Sequence, residues 1–282
     1  MFSQEVTTLN ANQSLINLDT PLVMGIVNLT PDSFFDGGKY STVELAIQQA
    51  QNLLLQGADI LDVGAYSSRP NAVHISEQEE IDRLIPFIER LKMELPQCII
   101  SVDTFRAKVA EVAVLKGAHI INDISGGSLD EHMFETVGKL QVPYILMHMR
   151  GTPKTMQEHT DYNDLVADLC SYFAERIAKL RAFGVKDIIL DPGPGFAKTV
   201  EQNFEIVSRF AEFSVFGLPL LGAVSRKFMI YNSLGSTPQE ALNGTTVLNS
   251  VLLLNGANIL RVHDVREAKE AVLLINKLKK LK

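Results

Sequence analysis

Residues 57–64 read GADILDVG, and the first four letters of this stretch return with small changes as GAHI at 117–120 and GANI at 256–259. In each copy the glycine follows a segment with helical periodicity and precedes a short apolar run. A glycine at this point is typical of a helix C-cap, and a short bounded apolar run is typical of a buried strand. The first two copies lie 60 residues apart, which accommodates two βα units of ordinary size. The stretch therefore predicts alternating helices and strands.

The same alternation extends over the whole chain and predicts eight strands. The runs are rich in Ile, Val and Leu without strict alternation, as in strands that are covered on both faces. They are Leu22–Asn28, Ile60–Gly64, Cys98–Asp103, His119–Ile124, Tyr144–Met149, Asp187–Asp191, Pro219–Val224 and Ile259–Asp264. Helical periodicity lies between them, for example in 43–56, 161–183 and 265–279. Thr237 and Glu240 have capping-box spacing, which predicts a helix with Pro238 in its first position.

Strands that alternate with helices imply a parallel α/β sheet with right-handed crossovers. Eight such units close most economically as a (β/α)₈ TIM barrel, and an open doubly wound sheet is the alternative. Residues 7–20, with a turn at Asn12 and Gln13, predict an N-terminal hairpin that caps the barrel floor. No Pro- or Ser-rich linker divides the chain, so we expect residues 1–282 to form one domain.

Composition excludes some classes of function. The chain has 282 residues and a formal net charge of −7, which argues against nucleic acid as a partner. No apolar stretch reaches the roughly 18–20 residues of a membrane span, and residues 1–10 carry no signal-like apolar segment. Cys98 and Cys170 match no zinc or redox spacing. We therefore expect reduced thiols and a cytoplasmic protein without a membrane partner.

Polar residues concentrate where the strands end, which is the face of a barrel that carries active sites. An unpaired buried polar group costs roughly 1–3 kcal/mol. The large number of polar residues at the strand ends therefore predicts a ligand that pairs with them. The strand-end residues are Asn28, Asp62, Ser68, Arg69, Asp103, Asn122, Asp123, His148, Asp191, Ser225, Arg226, Lys227, Arg261 and His263.

Two chemistries can be separated among these residues. Asp103, Asn122 and Asp191 offer carboxylate and amide groups that suit a flat heterocycle rich in N–H groups. Arg69, Arg261, His263 and Asn28 offer donors and positive charge that suit a phosphate group, and Lys227 could serve either. The pattern predicts a ligand with both a heteroaromatic ring and an oxyanion, such as a pterin pyrophosphate or a nucleotide.

Two loops after strands are longer than the usual 2–6 residues and predict lids. They run over 28–40 (NLTPDSFFDGGKY) and 65–76 (AYSSRPNAVHIS). The phosphate-loop patterns G-x-x-x-x-G-K and G-x-G-x-x-G are absent, which disfavours ATP and hydride chemistry of those kinds.

Several of these residues have structural interpretations as well. Arg261 and His263 alternate with Leu260 and Val262, which fits a half-buried structural strand as well as a site. Asp191-Pro192-Gly193 could simply begin a loop, Asp36-Gly37-Gly38 could be a turn, and Arg226-Lys227 could be a solvated pair. Asp59 and Asp187 stand at strand starts, where a role in stability is expected.

Taken together, the motifs resemble the dihydropteroate synthase family of pterin-binding barrels, in family order over residues 24–264. The matching segments are MGIVNLTPDSFFDGG (24–38), DVG (62–64), SRP (68–70), SVDT (101–104), INDI (121–124), MHMRGTP (147–153), ILDPG (189–193), VSRK (224–227) and LRVHD (260–264). The resemblance implies condensation of a dihydropterin methyl pyrophosphate with p-aminobenzoate in folate synthesis, inhibition by sulfonamides, and a homodimer through outer helices.

Residue roles follow from the same resemblance. It implies that Asp103, Asn122, Asp191 and Lys227 bind the pterin, with Arg261 beside it, and that Asn28, Arg69, Arg261 and His263 hold the pyrophosphate. Asn28 is further implied as a Mg²⁺ ligand, and Asp103, Lys227, Arg261 and His263 as catalytic. Ser68 and Phe196 are implied in the p-aminobenzoate pocket, under a lid that contains Pro31, Asp32, Phe34 and Asp36.

The chain also departs from the family pattern. Tyr66 replaces a frequent Glu, Ala65 a common Gly, Pro194 a common Phe, and Phe228 a frequent small polar residue. Tyr66 and Phe228 fall near the implied aminobenzoate pocket, so they bear on sulfonamide sensitivity.

Two further functions compete with the synthase. One is a pterin-binding barrel that donates a folate methyl group to a corrinoid partner, which would leave Asn28, Arg69 and His263 without a role. The other is a catalytically idle paralogue, against which the lid residues Pro31, Asp32 and Asp36 count.

Overall fold

The computed structural model describes residues 7–11, 14–29, 42–67 and 74–281. A two-stranded antiparallel hairpin comes first, formed by β1 (Thr8–Ala11) and β2 (Ser14–Asn17). The barrel strands follow: β3 (Leu22–Asn28), β4 (Ile60–Gly64), β5 (Ile99–Asp103), β6 (Ile120–Asp123), β7 (Tyr144–Met147), β8 (Ile188–Asp191), β9 (Leu221–Gly222) and β10 (Ile259–Val262). The helices are α1 (Thr42–Leu55), α2 (Glu77–Glu94), α3 (Ala107–Leu115), α4 (Met133–Leu140), α5 (Leu165–Ala182), α6 (Val200–Ser208), α7 (Phe228–Leu234), α8 (Leu242–Leu254) and α9 (Val265–Lys279).

The eight later strands form one parallel sheet that closes into a barrel. Their order is β8-β7-β6-β5-β4-β3-β10-β9. A parallel bridge between Leu190 and Leu220 and a hydrogen bond from Leu190 N to Pro219 O (2.8 Å) join the two ends of the sheet. The predicted TIM barrel is therefore confirmed, and the open doubly wound alternative is wrong.

The hairpin caps the amino-terminal end of the barrel, as the sequence predicts. Its apolar side chains pack on the interior residues of the strands to form one buried group, which we call the floor cluster. Its buried members are Leu9, Ala11, Ile16, Leu18, Met24, Ile60, Ile120, Ile145, Ile189, Leu221, Ala223 and Ile259. The turn at residues 12 and 13 lies outside the described residues.

A larger apolar core fills the space between barrel and helices. It takes the outward-facing residues of the strands, such as Val63, Val102 and Val262, and the inner faces of the helices. Gly57, Gly117, Gly184 and Gly256 all have positive φ, between 83° and 117°. Left-handed backbone after a helix satisfies its last carbonyl groups, so the predicted glycine caps are confirmed.

One helix start differs from the prediction. Thr237 N donates to Glu240 Oε2 (3.1 Å), as the capping-box spacing suggests, but α8 begins only at Leu242. The Arg226 guanidinium binds the carbonyl oxygens of Pro238 and Gln239 (2.9 and 2.8 Å), which holds this segment as a turn. Across the described residues, none of the helices is both long enough and apolar enough to span a bilayer.

Candidate active site

Along four of the barrel strands, the interior side chains change from apolar to polar within two residues. Since alternate residues of a strand face the same side, the residue two positions after a floor-cluster member also points inward. Four polar residues occupy this next layer: Asp62 after Ile60, Asn122 after Ile120, Asp191 after Ile189 and Arg261 after Ile259. The barrel interior thus has an apolar floor beneath a ring of polar groups.

Asp62 holds the ring together. Its side chain is fully buried, and Oδ2 accepts hydrogen bonds from Arg261 Nε (2.6 Å) and Asn122 Nδ2 (3.0 Å). Oδ1 accepts from Ser101 Oγ (2.6 Å). Arg261 Nη2 also donates to Asp103 Oδ2 (2.8 Å). A buried carboxylate needs such partners, because an isolated charge in a low-dielectric interior is strongly disfavoured.

Two acids therefore share one guanidinium group at the mouth. Burial raises the pKa of the Asp103 carboxyl to about 7, although Arg261 acts in the opposite direction; the nearby Asp62 adds to the increase. A carboxyl group with a pKa this close to neutrality changes charge over the physiological pH range, which is typical of functional sites.

Asp191 and Lys227 form the opposite side of the mouth. Asp191 Oδ1 accepts from Gly193 N (2.7 Å), and burial raises the pKa of the carboxyl while Lys227 lowers it. Burial lowers the pKa of Lys227 to about 8, against the effect of Asp191. The Lys227 ammonium donates to Pro194 O and lies 5.1 Å from the centroid of the Phe196 ring. The group thus joins the acids of the barrel to the loop that carries Phe196.

An apolar wall borders these charges. Ile124, Met147, Met149, Met156 and Ala197 are buried together, with Phe105, Leu129 and Phe196 packed against them. Flat heteroaromatic ligands are held in such a way, between apolar side chains that cover their faces and polar groups that bind their edges.

His263 and Asn28 lie at the outer rim. Ser225 Oγ lies 3.0 Å from His263 Nδ1 and accepts from His263 N (3.1 Å), so one hydroxyl fixes both backbone and ring. Asn28 is the last residue of β3 and is half-buried beside Gly64. Leu260 and Val262 are fully buried in the outer core while Arg261 points inward, as the alternation predicts.

The structure brings most of the predicted site residues to one end of the barrel. Asp103, Asn122, Asp191, Phe196, Lys227 and Arg261 are linked by the contacts and electrostatic interactions given above. Ser68, Arg69 and the lid residues Pro31, Asp32, Phe34 and Asp36 lie outside the described residues. Arg226 binds Asp264 through two nitrogens (2.9 and 2.7 Å), so it is a structural residue rather than a solvated one.

Sequence reasoning missed three residues of this region: Asp62, Ser225 and Lys198. It placed Asp62 and Ser225 at strand ends but gave them no role, although an Asp inside the apolar run ILDVG was a usable signal. Lys198 follows a glycine-containing loop, and nothing in the sequence marks it as the buried lysine that it is.

Comparison with known proteins adds to this geometry. Residues 24–263 match the family model described as pterin binding enzyme. The chain is 41% identical to dihydropteroate synthase of Escherichia coli K12 over 267 residues, which cover 94% of each chain, and 44% identical to that of Bacillus subtilis strain 168 over 87% of this chain and 84% of the other.

Solved structures agree with these matches. A dihydropteroate synthase of Xanthomonas albilineans with 4-aminobenzoic acid superposes with a TM-score of 0.91 at 36% identity, covering 97% of this chain and 98% of the other. A Yersinia pestis dihydropteroate synthase in a sulfonamide drug complex also gives 0.91, at 38% identity over 98% of this chain and all of the other. The chain belongs to the pterin-binding enzymes and, within them, to the dihydropteroate synthases, which are transferases of folate biosynthesis.

Proposed function

We propose that the polar ring at the barrel mouth carries out the synthase reaction, in which 7,8-dihydropterin-6-ylmethyl pyrophosphate and p-aminobenzoate give 7,8-dihydropteroate and pyrophosphate. The observation that carries the assignment of residues is the network in which Arg261 joins Asp62 and Asp103 beside Asn122. It places acids, an amide and a cation together at one end of the barrel, above an apolar floor.

The pterin ring would be bound by Asp103, Asn122, Asp191 and Lys227. Nδ2 of Asn122 donates a hydrogen bond to Asp62, so the side-chain oxygen of Asn122 can accept one from a ring N–H. Asp191 uses Oδ1 for Gly193 N, which leaves Oδ2 for the same purpose. Lys227 is the neighbouring donor for ring oxygen or nitrogen, and the apolar wall covers a ring face.

The pyrophosphate would be bound at the rim by Asn28, Arg69, Arg261 and His263. Guanidinium groups match phosphate oxygens in charge and geometry. The hydroxyl of Ser225 lies 3.0 Å from Nδ1 of His263 and would hold the imidazole ring in place at the rim.

We propose that a Mg²⁺ ion binds at this rim together with the substrate. Within the part of the chain that the structure describes, no three His, Cys, Asp or Glu side chains could hold a metal together. Asn28 offers one neutral amide oxygen, and Mg²⁺ is commonly bound through one or two protein oxygens together with substrate phosphates and water. We propose Asn28 as that ligand. When bound, the ion would neutralise charge on the pyrophosphate.

The residues of the chain then act on two substrates in turn. The bond between the pterin methylene carbon and the pyrophosphate oxygen breaks, and Arg261, His263 and Arg69 stabilise the departing anion. The Asp103 carboxylate stabilises the positive charge left on the pterin. The amine nitrogen of p-aminobenzoate attacks the methylene carbon from the side of Phe196, and it loses one proton to water as the C–N bond forms. The lid residues Pro31, Asp32, Phe34 and Asp36 would exclude water, which competes as a nucleophile.

One assay tests this function. Purified protein is mixed with the dihydropterin pyrophosphate, p-aminobenzoate and Mg²⁺, and both pyrophosphate and pteroate are measured. We expect equal amounts of the two products and inhibition by a sulfonamide. Pyrophosphate release without pteroate would indicate hydrolysis and contradict the proposed p-aminobenzoate site.

We further propose that two copies of the chain associate through α8 and α9. Large apolar side chains are exposed there, and an apolar patch of this kind is typical of an interface. They are Val247, Leu254, Leu273, Leu274 and Leu278. Leu274→Glu combined with Leu278→Glu should convert the dimer to a monomer in sedimentation velocity. Leu55→Glu, at a still more exposed leucine on α1, should leave the dimer intact.

We also propose that the enzyme works in the cytoplasm. Cys98 and Cys170 are both free thiols in the structure, and burial raises the pKa of each. Unpaired, poorly ionised thiols of this kind are typical of proteins in a reducing compartment.

A further inference from the structure

The loop between β8 and α6 is held by hydrogen bonds from side chains to its backbone carbonyl groups. Five successive carbonyl oxygens, from Gly193 to Ala197, each accept a hydrogen bond from a side chain. The donors are Lys198 Nζ to Gly193 O (3.0 Å), Lys227 Nζ to Pro194 O, Gln157 Nε2 to Gly195 O (3.5 Å), Lys198 Nζ to Phe196 O (2.9 Å) and Tyr162 Oη to Ala197 O (2.8 Å). Carbonyl groups of a loop normally point to water, so this loop is held in a fixed shape by its surroundings.

The backbone of the loop needs such support. Gly193 and Gly195 have φ of 66° and 89°, and Ala197 has φ of 50° although it carries a Cβ atom. L residues rarely adopt this left-handed conformation, because the Cβ atom crowds the following carbonyl oxygen. The conformation that places Phe196 is therefore imposed by contacts rather than preferred by the chain.

Lys198 is the only side chain of this group that holds two carbonyls of the loop. It is 3% exposed, and its Nζ also lies 3.0 Å from His148 Nδ1, directly after β7. An ammonium group has three N–H donors, which match these three acceptors. Burial lowers the pKa of Lys198 and that of His148, and Lys198 lowers the pKa of His148 further. A neutral His148 that accepts at Nδ1 carries its proton on Nε2.

We propose that Lys198 is a positioning residue of the reaction: its ammonium group ties the loop to His148 and thereby holds the Phe196 ring at the p-aminobenzoate side of the mouth. The Phe196 ring lies beside the Lys227 ammonium, so a displacement of the loop would alter this side of the site first. The inference rests on the proposed role of Phe196 in binding p-aminobenzoate.

The test compares Lys198→Met with Lys269→Met. Met keeps the length of the side chain and removes its three donors. Lys269 forms an ion pair with Asp59 at the other end of the barrel (2.5 Å), so its variant is also destabilised but leaves the loop intact. We expect Lys198→Met to raise the KM for p-aminobenzoate about tenfold, equivalent to about 1.4 kcal/mol, and the KM for the pterin substrate much less. Equal increases in both KM values, or none beyond those in Lys269→Met, would overturn the proposal.

A second pair of variants serves if Lys198→Met does not fold. The side-chain oxygen of Asn can replace Nδ1 of histidine as an acceptor, whereas Leu cannot. We expect His148→Leu to raise the KM for p-aminobenzoate and His148→Asn to restore it towards the wild-type value. The same KM in both variants would contradict the role of this contact.

Hydrogen–deuterium exchange of residues 192–199 separates this proposal from the proposed function. Exchange there should be faster in Lys198→Met and His148→Leu than in Lys269→Met. Unchanged exchange would overturn the role of Lys198 even in an active enzyme. Faster exchange in a protein whose wild type makes no pteroate would leave Lys198 as the residue that holds the loop and would refute the proposed function instead.

Discussion

The two ends of the barrel are built from the same eight strands, yet the interior of one end is apolar and that of the other is charged. At the floor, the interior residues Ile60, Ile120, Ile189 and Ile259 pack against the hairpin, and the charged pair of Asp59 and Lys269 stays outside the apolar interior. At the mouth, two residues further along the same strands, Asp62, Asn122, Asp191 and Arg261 point inward. The floor gains stability from apolar burial, whereas the mouth buries charges that require partners.

The comparison shows that the functional end of the barrel is the end where burial destabilises charged groups. Desolvation raises the pKa of Asp103 and Asp191 and lowers that of Lys227. The charged forms are thus disfavoured by the same burial that makes their electrostatic action strong. If this division holds, substitutions at the floor should change stability alone, and substitutions at the mouth should change activity first.

The largest expected effect on activity is that of Asp62→Ala, with Asp59→Ala as the matched substitution three residues earlier at the floor. Removal of Asp62 leaves Arg261, Asn122 and Ser101 without their shared acceptor, and breaking a buried ion pair costs roughly 3–5 kcal/mol. We expect kcat/KM to fall about a hundredfold or more. Asp59 binds Val23 N and Lys269, so its removal should lower the unfolding temperature and leave kcat/KM within about threefold. Similar losses of activity in both would abolish the distinction.

The next effect concerns the floor. Ile189→Ala removes a fully buried side chain from the floor cluster, two residues before Asp191. Such truncations cost about 2–5 kcal/mol, because they leave a cavity as well as losing apolar contact. Urea denaturation should show this loss, while steady-state kinetics of the folded protein should stay close to wild type. A large fall in kcat at unchanged folded fraction would mean that the floor also positions Asp191.

Sequence analysis predicted the floor almost completely and the mouth only in part. The strands, the hairpin and the glycine caps depend on local periodicity and on backbone conformations that few residues adopt, and both are visible in short stretches. The role of Asp62 depends on Arg261, which lies 199 residues away along the chain. Lys198 depends in the same way on His148, 50 residues before it.

Local signals also failed where a distant residue intervened. Thr237 and Glu240 have the spacing of a helix start, but Arg226 takes the carbonyl groups of Pro238 and Gln239 and delays α8 to Leu242. Conversely, the structure shows a capping box between Thr199 and Gln202 that the sequence analysis did not predict. Long-range side-chain contacts are the part of this fold that patterns along the chain do not reveal.

Asp103→Asn should lower turnover at least about tenfold, or about 1.4 kcal/mol in the barrier, since the amide cannot stabilise a cationic pterin. The pH dependence separates this role from a structural one. In the wild type, kcat/KM should rise as pH increases through about 7, where the Asp103 carboxyl loses its proton. Asn has no such titration, so the rise near pH 7 should be absent from its profile. An unchanged rate would remove the cation-stabilising role.

The stability of the same pair of proteins should change in the opposite direction with pH. Because the pKa of Asp103 is raised in the folded state from 3.8 to about 7, the folded state binds more protons between these values than the unfolded state. The contribution of Asp103 to stability is therefore full below pH 3.8 and is lost as pH rises through about 7. The free energy of unfolding of wild type relative to Asp103→Asn should fall over this interval, measured by urea titration at several pH values.

The smallest expected effect is that of Ser225→Ala, which removes the hydroxyl beside His263 without touching the polar ring. A single hydrogen bond contributes about 0.5–1.5 kcal/mol, so we expect kcat/KM to fall about twofold to tenfold. Since Ser225 acts only through the orientation of His263, the double variant Ser225→Ala, His263→Ala should be no slower than His263→Ala alone. Ser225→Thr keeps the hydroxyl and should restore most of the rate. Additive losses in the double variant would show that Ser225 acts on the reaction independently of His263. The residues of the rim would then be less strongly coupled than those of the polar ring beneath it.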